Sequence, residues 1–271
     1  MSADVLSRNN LRVSGSGTQP MMFAHGFGCD QNMWRFVTPA FADRYKLVLF
    51  DYVGSGKSDL AAYDARRYGS LEGYAQDVLD ICEALDLRDV IFVGHSVSSV
   101  IGTIAANRAP ERFDRLIFVG PSAAYINEPP DYIGGFERAD IDGLLEMMDK
   151  NYLGWASVLA PAVMKNPERG DLTVELEQSF CATDPKIARR FAEVTFLSDN
   201  RADFAKLKVP ALIMQCSDDS IAPLSAGKFV AQEIPQSTFR LMQATGHCPH
   251  MSAPAETIEV IEDYLARPRA A

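Results

Sequence analysis

Six short apolar runs, each followed by a loop containing Gly or Asp, constrain the fold of this chain most strongly. They lack polar alternation, which is typical of parallel strands that are buried on both faces. Apolar side chains recur at helical spacing between the runs, for example over residues 74–85. The runs are 21–24, 47–50, 90–93, 116–119, 211–214 and 239–242. This alternation predicts an α/β fold, a mostly parallel sheet with helices on both faces.

The strand pattern stops between the fourth and fifth runs. Four helix-like segments replace it, separated by Pro, Gly and Asn, at 141–152, 155–163, 172–180 and 185–196. A chain of 271 residues suits one α/β domain with an insertion. We therefore predict a core made of residues 1–122 and 197–271, with a helical lid, 123–196, inserted into it.

Charge and composition exclude several classes of function. A formal net charge of −10 repels phosphate backbones, which disfavours nucleic-acid binding. No segment approaches the roughly 18 apolar residues of a membrane span, and the N-terminal residues lack a secretion-signal pattern. We expect a cytoplasmic protein that does not contact membranes. The five cysteines form no C-x-x-C pair, and His and Cys are not clustered at zinc spacing, so we expect reduced thiols, no metal and no cofactor.

The motif Gly94-His95-Ser96-Val97-Ser98 is the strongest chemical signal in the chain. It lies where a buried run ends and a helical pattern begins, as in the sharp strand-to-helix turn that exposes a nucleophilic serine. Small neighbours are needed because the backbone turns so tightly. Serine stands at the last position instead of the usual glycine, but it is still small. The motif predicts Ser96 as a nucleophile.

A serine hydroxyl needs a base to accept its proton, and the base needs an acid to orient it. In folds of this kind the order along the chain is serine, acid, histidine. His247 and His250 follow Ser96, and we prefer His247 because it lies in a loop directly after a strand-like run. Asp218 and Asp219 both follow the preceding run. We choose Asp219, which lies shortly before a turn that ends in proline.

The segment His25-Gly26-Phe27-Gly28 follows the first apolar run. In this kind of fold one oxyanion-hole N–H comes from such a loop and the other from the residue after the nucleophile. Phe27 and Val97 occupy these two positions. We interpret His25 as a structural loop residue that is hydrogen-bonded to backbone.

Longer motifs give the chain a family resemblance. It resembles the α/β-hydrolases of the group that contains the bacterial stress-response regulator RsbQ and the plant karrikin and strigolactone receptors. The Gly-His-Ser-Val-Ser motif is closer to those of the plant receptors. The residues that carry the resemblance are 25–28, Asp30, Gln31, Trp34, 50–56, 71–74, 134–137 and 246–252.

The resemblance implies a core domain under a V-shaped lid of four helices, with a buried apolar pocket. It also implies that Ser96, Asp219 and His247 form the catalytic triad. The aromatic residues that it places at the pocket are Phe27, Phe136, Trp155 and Phe196.

Two functions are compatible with this site. The first is a serine hydrolase that cleaves a small hydrophobic ester or lactone through an acyl-enzyme. The second is an RsbQ-like stress-signalling protein or small-ligand receptor with slow hydrolysis, which acts with a regulatory phosphatase. A haloperoxidase, a C–C bond hydrolase or an acyltransferase would keep the same serine. A haloalkane dehalogenase is disfavoured, because it has aspartate at the position of Ser96.

Overall fold

The computed structural model describes residues 2–267, so residue 1 and residues 268–271 of the predicted core lie outside it. Within this range the chain forms a seven-stranded sheet in the order β1-β3-β2-β4-β5-β6-β7. Strand β1 is antiparallel to β3, and all other neighbours are parallel. The strands are β1 Arg12–Ser14, β2 Pro20–Ala24, β3 Lys46–Leu49, β4 Val90–His95, β5 Phe113–Val119, β6 Ala211–Asp218 and β7 Ser237–Thr245. The predicted mostly parallel α/β sheet is confirmed.

Alternate side chains of each central strand enter two different hydrophobic cores. Met21 and Phe23 of β2 pack on one face of the sheet, whereas Met22 and Ala24 pack on the other. This alternation follows from the two-residue period of a strand, and both faces are apolar because helices cover both. The helices other than the four of the insertion described below are α1 Ser2–Arg8, α2 Leu71–Ala84, α3 Val97–Arg108, α8 Arg201–Ala205, α9 Leu224–Glu233, α10 Pro249–Ser252 and α11 Pro254–Leu265.

Strand β7 differs from the fully buried strand that its apolar run predicts. It is the last strand of the sheet, with β6 as its one neighbour. Met242 is buried, but Leu241 is 55% exposed. An edge strand has a neighbour on one side only, and a four-residue run carries no signal of that position.

Four of the five α-helices between β5 and β6 form the insertion, and the short α8 follows them. They are α4 Arg138–Lys150, α5 Tyr152–Met164, α6 Gly170–Ala182 and α7 Pro185–Phe196. Asn151 separates the first two, because its side chain caps α5 by accepting a hydrogen bond from the Gly154 N–H. The buried faces of α4–α7 join the same core as one face of the sheet. The insertion is therefore packed onto the sheet rather than standing apart from it.

None of the helices within residues 2–267 combines the length and the apolar character needed to cross a bilayer.

Candidate active site

Ser96 occupies a sharp turn between β4 and α3. Its backbone angles are φ 55° and ψ −121°, a strained conformation for a residue with a side chain. The turn is tight enough that a Cβ on Gly94 would lie 2.8 Å from the carbonyl oxygen of Ser98. The Ser96 N–H donates to the carbonyl oxygen of Val119 on β5, at 2.9 Å. The geometry is that of a nucleophile elbow, with the serine at the carboxyl edge of the sheet.

A continuous hydrogen-bonded chain joins Ser96, His247 and Asp219. The Ser96 Oγ lies 2.8 Å from His247 Nε2, and His247 Nδ1 lies 2.7 Å from Asp219 Oδ2. All three residues are buried. Asp219 Oδ1 accepts hydrogen bonds from the N–H groups of Ile221 and Ala222, at 2.8 and 3.0 Å, which fix the carboxylate. The arrangement suits transfer of the serine proton to the imidazole.

The two adjacent aspartates have different environments. Asp218 ends β6, its side chain is 58% exposed, and it forms an ion pair with Lys165 at 2.5 Å. Asp219 lies one residue further on, where the chain turns inward toward His247. The geometry therefore brings Asp219, and not Asp218, to the imidazole.

Two features that the sequence analysis did not identify hold His247 in place. Its N–H donates to the carbonyl oxygen of Val163 at the end of α5, at 2.8 Å, so the insertion supports the histidine loop directly. Gly120, with φ +61°, packs against the imidazole, and a Cβ there would lie 3.1 Å from His247 Cε1. A glycine directly after a strand end is a usable sequence signal for such a contact.

The loop of residues 25–28, here called the oxyanion loop, lies against the elbow. A Cβ on Gly26 would lie 3.4 Å from the Ser96 Cβ, and Phe27 and Ser96 line the same cavity. The Phe27 and Val97 N–H groups donate to no acceptor within residues 2–267. Both are therefore available to a negatively charged oxygen next to Ser96.

His25 and His250 are buried and contact neighbouring structural residues. His25 Nδ1 bonds to the carbonyl oxygen of Gly26, and His25 Nε2 bonds to the Tyr52 N–H, so its ring is held by backbone groups. His250 packs against Trp34, with a centroid distance of 4.6 Å and the two rings tilted by 34°. Burial, together with the nearby His247 and Arg35, lowers the pKa of His250 to about 3. Neither His25 nor His250 is hydrogen-bonded to Ser96.

An apolar cavity of about 30 Å³ lies over Ser96 and His247. Five of its twelve lining residues come from the insertion, on α5, α6 and α7, and Phe27 comes from the oxyanion loop. The insertion residues are Leu159, Val163, Leu176, Phe180 and Phe196. The cavity is far smaller than the roughly 300–1,000 Å³ of typical ligand pockets, so a ligand of that size fits only if the wall rearranges.

The four aromatic residues expected at the pocket occupy different places. Phe27 and Phe196 line the cavity. Trp155 is buried one layer behind it, edge-on to Phe27 with a centroid distance of 6.0 Å. Phe136 is also outside the lining, and its N–H donates to the carbonyl oxygen of Tyr125. A helical apolar pattern identifies a buried side chain but not the layer in which it lies.

Tyr125 is a site residue that the sequence analysis missed. Its hydroxyl lies 3.4 Å from the Ser96 Oγ, and burial raises the pKa of this phenol, so it stays protonated. A protonated phenol can donate a hydrogen bond to a ligand at Ser96. The position shortly after the end of β5 was the available signal, because strand ends converge on this edge of the sheet.

The fold brings His95, Cys248 and His250 together, with one candidate ligand atom from each lying within 4.8 Å of the others. Sequence spacing did not indicate this cluster. His95 Nε2 faces the carbonyl oxygen of His247 at 2.8 Å and must carry a proton, while a Cβ on Gly26 would lie 2.4 Å from His95 Nδ1. The Nε2 of His95 is therefore not free to bind a metal, whereas its Nδ1 has no hydrogen-bond partner within residues 2–267.

Cys29 and Cys248 also line the cavity. Burial raises the pKa of both thiols, and nearby Asp30 adds to the effect at Cys29. A protonated thiol is a weak nucleophile. The two cysteines therefore act as small apolar wall residues.

Comparisons with known proteins identify the family of this chain. A family model described as alpha/beta hydrolase fold matches residues 19–254. The chain is 37% identical over 258 residues to karrikin insensitive 2 receptor CA of Petunia hybrida, covering 95% of each chain. It is 34% identical over 268 residues to strigolactone esterase RMS3 of Pisum sativum, covering 98% of this chain and 100% of the relative.

Among solved structures, the chain is similar to olei00960, a hydrolase from Oleispira antarctica. The TM-score is 0.96 at 46% identity, and the match covers 98% of each chain. The resemblance to the karrikin and strigolactone receptors is confirmed by the two plant relatives. On the family match and on these identities, the chain belongs to the α/β-hydrolase family.

Proposed function

We propose that this protein hydrolyses a small hydrophobic ester or lactone by a Ser-His-Asp acyl-enzyme mechanism. The observation that carries the proposal is the chain from Ser96 Oγ through His247 to Asp219, with distances of 2.8 and 2.7 Å, beneath an apolar cavity. The roles are Ser96 as nucleophile, His247 as general base and then acid, and Asp219 as the residue that orients the imidazole.

In the first half of the reaction the Ser96 Oγ attacks the substrate carbonyl carbon. His247 Nε2 takes the serine proton as the C–O bond forms, and Asp219 stabilises the resulting imidazolium. The carbonyl oxygen becomes an oxyanion, to which the Phe27 and Val97 N–H groups donate. These N–H groups need no rearrangement at the moment of reaction, and fixed donors of this kind supply much of the acceleration in acyl transfer.

The tetrahedral intermediate then collapses. His247 returns its proton to the departing alkoxide, which leaves as an alcohol from an ester or stays attached through the acyl chain of a lactone. Water attacks the acyl-enzyme next, with His247 again as base. The acid is released, and the hydroxyl of Ser96 is restored.

The chemistry of the cavity supports a small hydrophobic substrate. Seven of the twelve lining residues have apolar side chains that neither donate nor accept hydrogen bonds, and the volume is about 30 Å³. A charged acyl group would lose its hydration there without gaining a partner. Short, uncharged acyl groups fit this environment best.

Hydrolysis of p-nitrophenyl acetate, followed by a panel of short esters and butenolide lactones, tests the proposal. Ser96→Ala is expected to lower kcat by at least about 10⁴-fold, because the nucleophile is lost. Circular dichroism of the variant checks that the fold is intact. Turnover by folded Ser96→Ala at the wild-type rate would overturn the assignment.

The second candidate function is reception of a small ligand, with slow hydrolysis that serves recognition. It is favoured by the 37% identity to a protein named as a karrikin insensitive receptor. The same Ser96 site would bind the ligand, and a regulatory phosphatase would be the partner.

Single-turnover kinetics separate the two functions. A receptor is expected to turn over well below about 1 s⁻¹, the lower end of ordinary enzyme rates, and to bind a phosphatase only with ligand present. Fast turnover, with no ligand-dependent binding to any phosphatase tested by pull-down and calorimetry, would leave hydrolysis as the function.

A further inference from the structure

Ser98 stands at the elbow position where the usual pattern has glycine, and its side chain is fully buried. The Ser98 Oγ lies 2.5 Å from the carbonyl oxygen of His25, in the oxyanion loop. It also lies 2.9 Å from the hydroxyl of Tyr52, which follows β3. The extra hydroxyl therefore joins the elbow helix to two separate loops.

The donor of each of the two hydrogen bonds made by the Ser98 hydroxyl can be assigned. The His25 carbonyl only accepts, so the single proton of Ser98 goes to it. Tyr52 must then donate its own proton to the Ser98 Oγ. Burial raises the pKa of Tyr52, which keeps that proton in place. The order is Tyr52 to Ser98 to the His25 carbonyl, with every donor used once.

Tyr52 holds the same loop a second time through its backbone. Its N–H donates to His25 Nε2 at 3.2 Å, so the proton of the neutral ring is on Nδ1. That Nδ1–H donates to the carbonyl oxygen of Gly26 at 2.8 Å. Burial lowers the pKa of His25 and favours the neutral ring that this pattern needs.

These contacts fix two successive carbonyl groups, those of His25 and Gly26. A trans peptide is planar, and its C=O and N–H point in opposite directions. The Gly26 carbonyl shares its peptide plane with the Phe27 N–H. Holding that carbonyl therefore sets the direction in which the Phe27 N–H points, next to Ser96.

We propose that Tyr52, Ser98 and His25 form a tether that aims the Phe27 N–H at the oxyanion. The inference rests on the proposed hydrolase function. The three side chains do not touch the reacting atoms, so they are positioning residues. Ser98 in place of glycine gives this chain a direct bond from the nucleophile helix to the oxyanion loop.

Ser98→Ala removes both hydroxyl contacts and is the main test. The expected loss in kcat is about 10- to 100-fold, because misaiming an oxyanion donor costs less than deleting one, which costs about 10²–10³-fold. KM for p-nitrophenyl acetate is expected to change less than about threefold, since the oxyanion forms only in the transition state. Tyr52→Phe keeps the Ser98–His25 bond and is expected to lose less.

The neighbouring Ser99 supplies a matched control. It is equally buried on the same helix, and within the described chain its Oγ has no hydrogen-bond partner. The kcat of Ser99→Ala is expected to stay within twofold of the wild-type value, which corresponds to a change of at most about 0.4 kcal/mol in the activation barrier. Thermal unfolding of all variants checks that the fold is intact.

A trifluoromethyl ketone inhibitor distinguishes positioning from general loosening of the structure. Its adduct with Ser96 carries an oxyanion, so Ser98→Ala is expected to weaken its binding by about the factor lost in kcat/KM. The corresponding methyl ketone, which binds without that charge, is expected to change little.

The outcomes separate the two proposals. A wild-type protein that hydrolyses none of the esters or lactones, and forms no adduct, overturns the hydrolase function itself. An active wild type in which Ser98→Ala matches Ser99→Ala in kcat and in inhibitor affinity overturns the tether alone. Loss of kcat with unchanged KM and weaker trifluoromethyl ketone binding supports it.

Discussion

Asp219→Asn is expected to invert the hydrogen-bond pattern at His247, the proposed catalytic base. Asp219 Oδ1 accepts from the N–H groups of Ile221 and Ala222, and Oδ2 faces His247 Nδ1 at 2.7 Å. In asparagine the oxygen must stay with the two backbone donors. The amide NH₂ then faces Nδ1 and can only donate, so His247 is forced to carry its proton on Nε2.

A protonated Nε2 cannot accept the proton of Ser96, although the side chains keep their places. The equivalent change in the serine-protease triad lowers kcat by about 10⁴-fold, and the same tautomer argument applies here. That factor corresponds to about 5.5 kcal/mol in the activation barrier. The fold is expected to lose at most about 1–2 kcal/mol, because the two backbone hydrogen bonds are kept.

The assay is kcat for p-nitrophenyl acetate, with urea unfolding in parallel. Asp218→Asn is the matched control, since the exposed ion pair with Lys165 contributes at most about 1 kcal/mol to stability. The kcat of Asp218→Asn is expected to stay within twofold of the wild-type value, which corresponds to at most about 0.4 kcal/mol in the activation barrier. A folded Asp219→Asn protein that kept more than about a tenth of wild-type kcat would refute the proposed role of Asp219 in setting the tautomer of His247. Such a result corresponds to a barrier change of less than about 1.4 kcal/mol.

Three further predictions concern the cavity and the buried core. Leu176 lines both the cavity over Ser96 and a neighbouring 250 Å³ pocket, so Leu176→Ala should join the two spaces and shift ester preference toward longer acyl chains. The control Leu172→Ala, at a buried position on the same helix, should leave that preference unchanged, and an unchanged chain-length profile for Leu176→Ala would contradict the prediction. The pKa of His250 is about 3 in the folded protein and near 6.5 in the unfolded chain. Between these pH values only the unfolded chain binds the proton, so the free energy of unfolding falls as the pH decreases from about 6.5 toward 3. In urea unfolding, the free energy of unfolding should fall less between pH 7 and pH 5 for His250→Phe than for the wild type, by about 1–2 kcal/mol. Equal falls for the two proteins would contradict the lowered pKa of His250. Trp155→Ala should lower the free energy of unfolding by about 3–5 kcal/mol, because it empties a buried second-layer position, and a KM change without such a loss would place the indole at the substrate instead.

The strands and site residues that could be predicted from the sequence are those that a local residue pattern marks. Four-residue apolar runs locate the strands because burial on both faces leaves no polar positions. Ser96 was identifiable because a small-residue motif lies at the point where the period changes from strand to helix. His247 followed from chain order and from its position after the last run.

The remaining features depend on contacts between distant segments, which a single sequence does not encode locally. The choice between Asp218 and Asp219 is made by the turn that gives Asp219 two backbone donors. Tyr125 lies in an irregular segment, so no periodicity places its hydroxyl 3.4 Å from Ser96. Trp155 shows the helical spacing of a buried residue, but spacing alone does not distinguish the cavity wall from the layer behind it.

The most direct test of the proposed mechanism is intact-mass spectrometry after incubation with a serine-reactive fluorophosphonate, followed by peptide mapping. One adduct per chain is expected, located on Ser96, and His247→Ala should abolish it because the serine then has no base. An unlabelled wild-type protein, or an adduct located on another residue while Ser96 stays free, would contradict the proposal that Ser96 is the activated nucleophile.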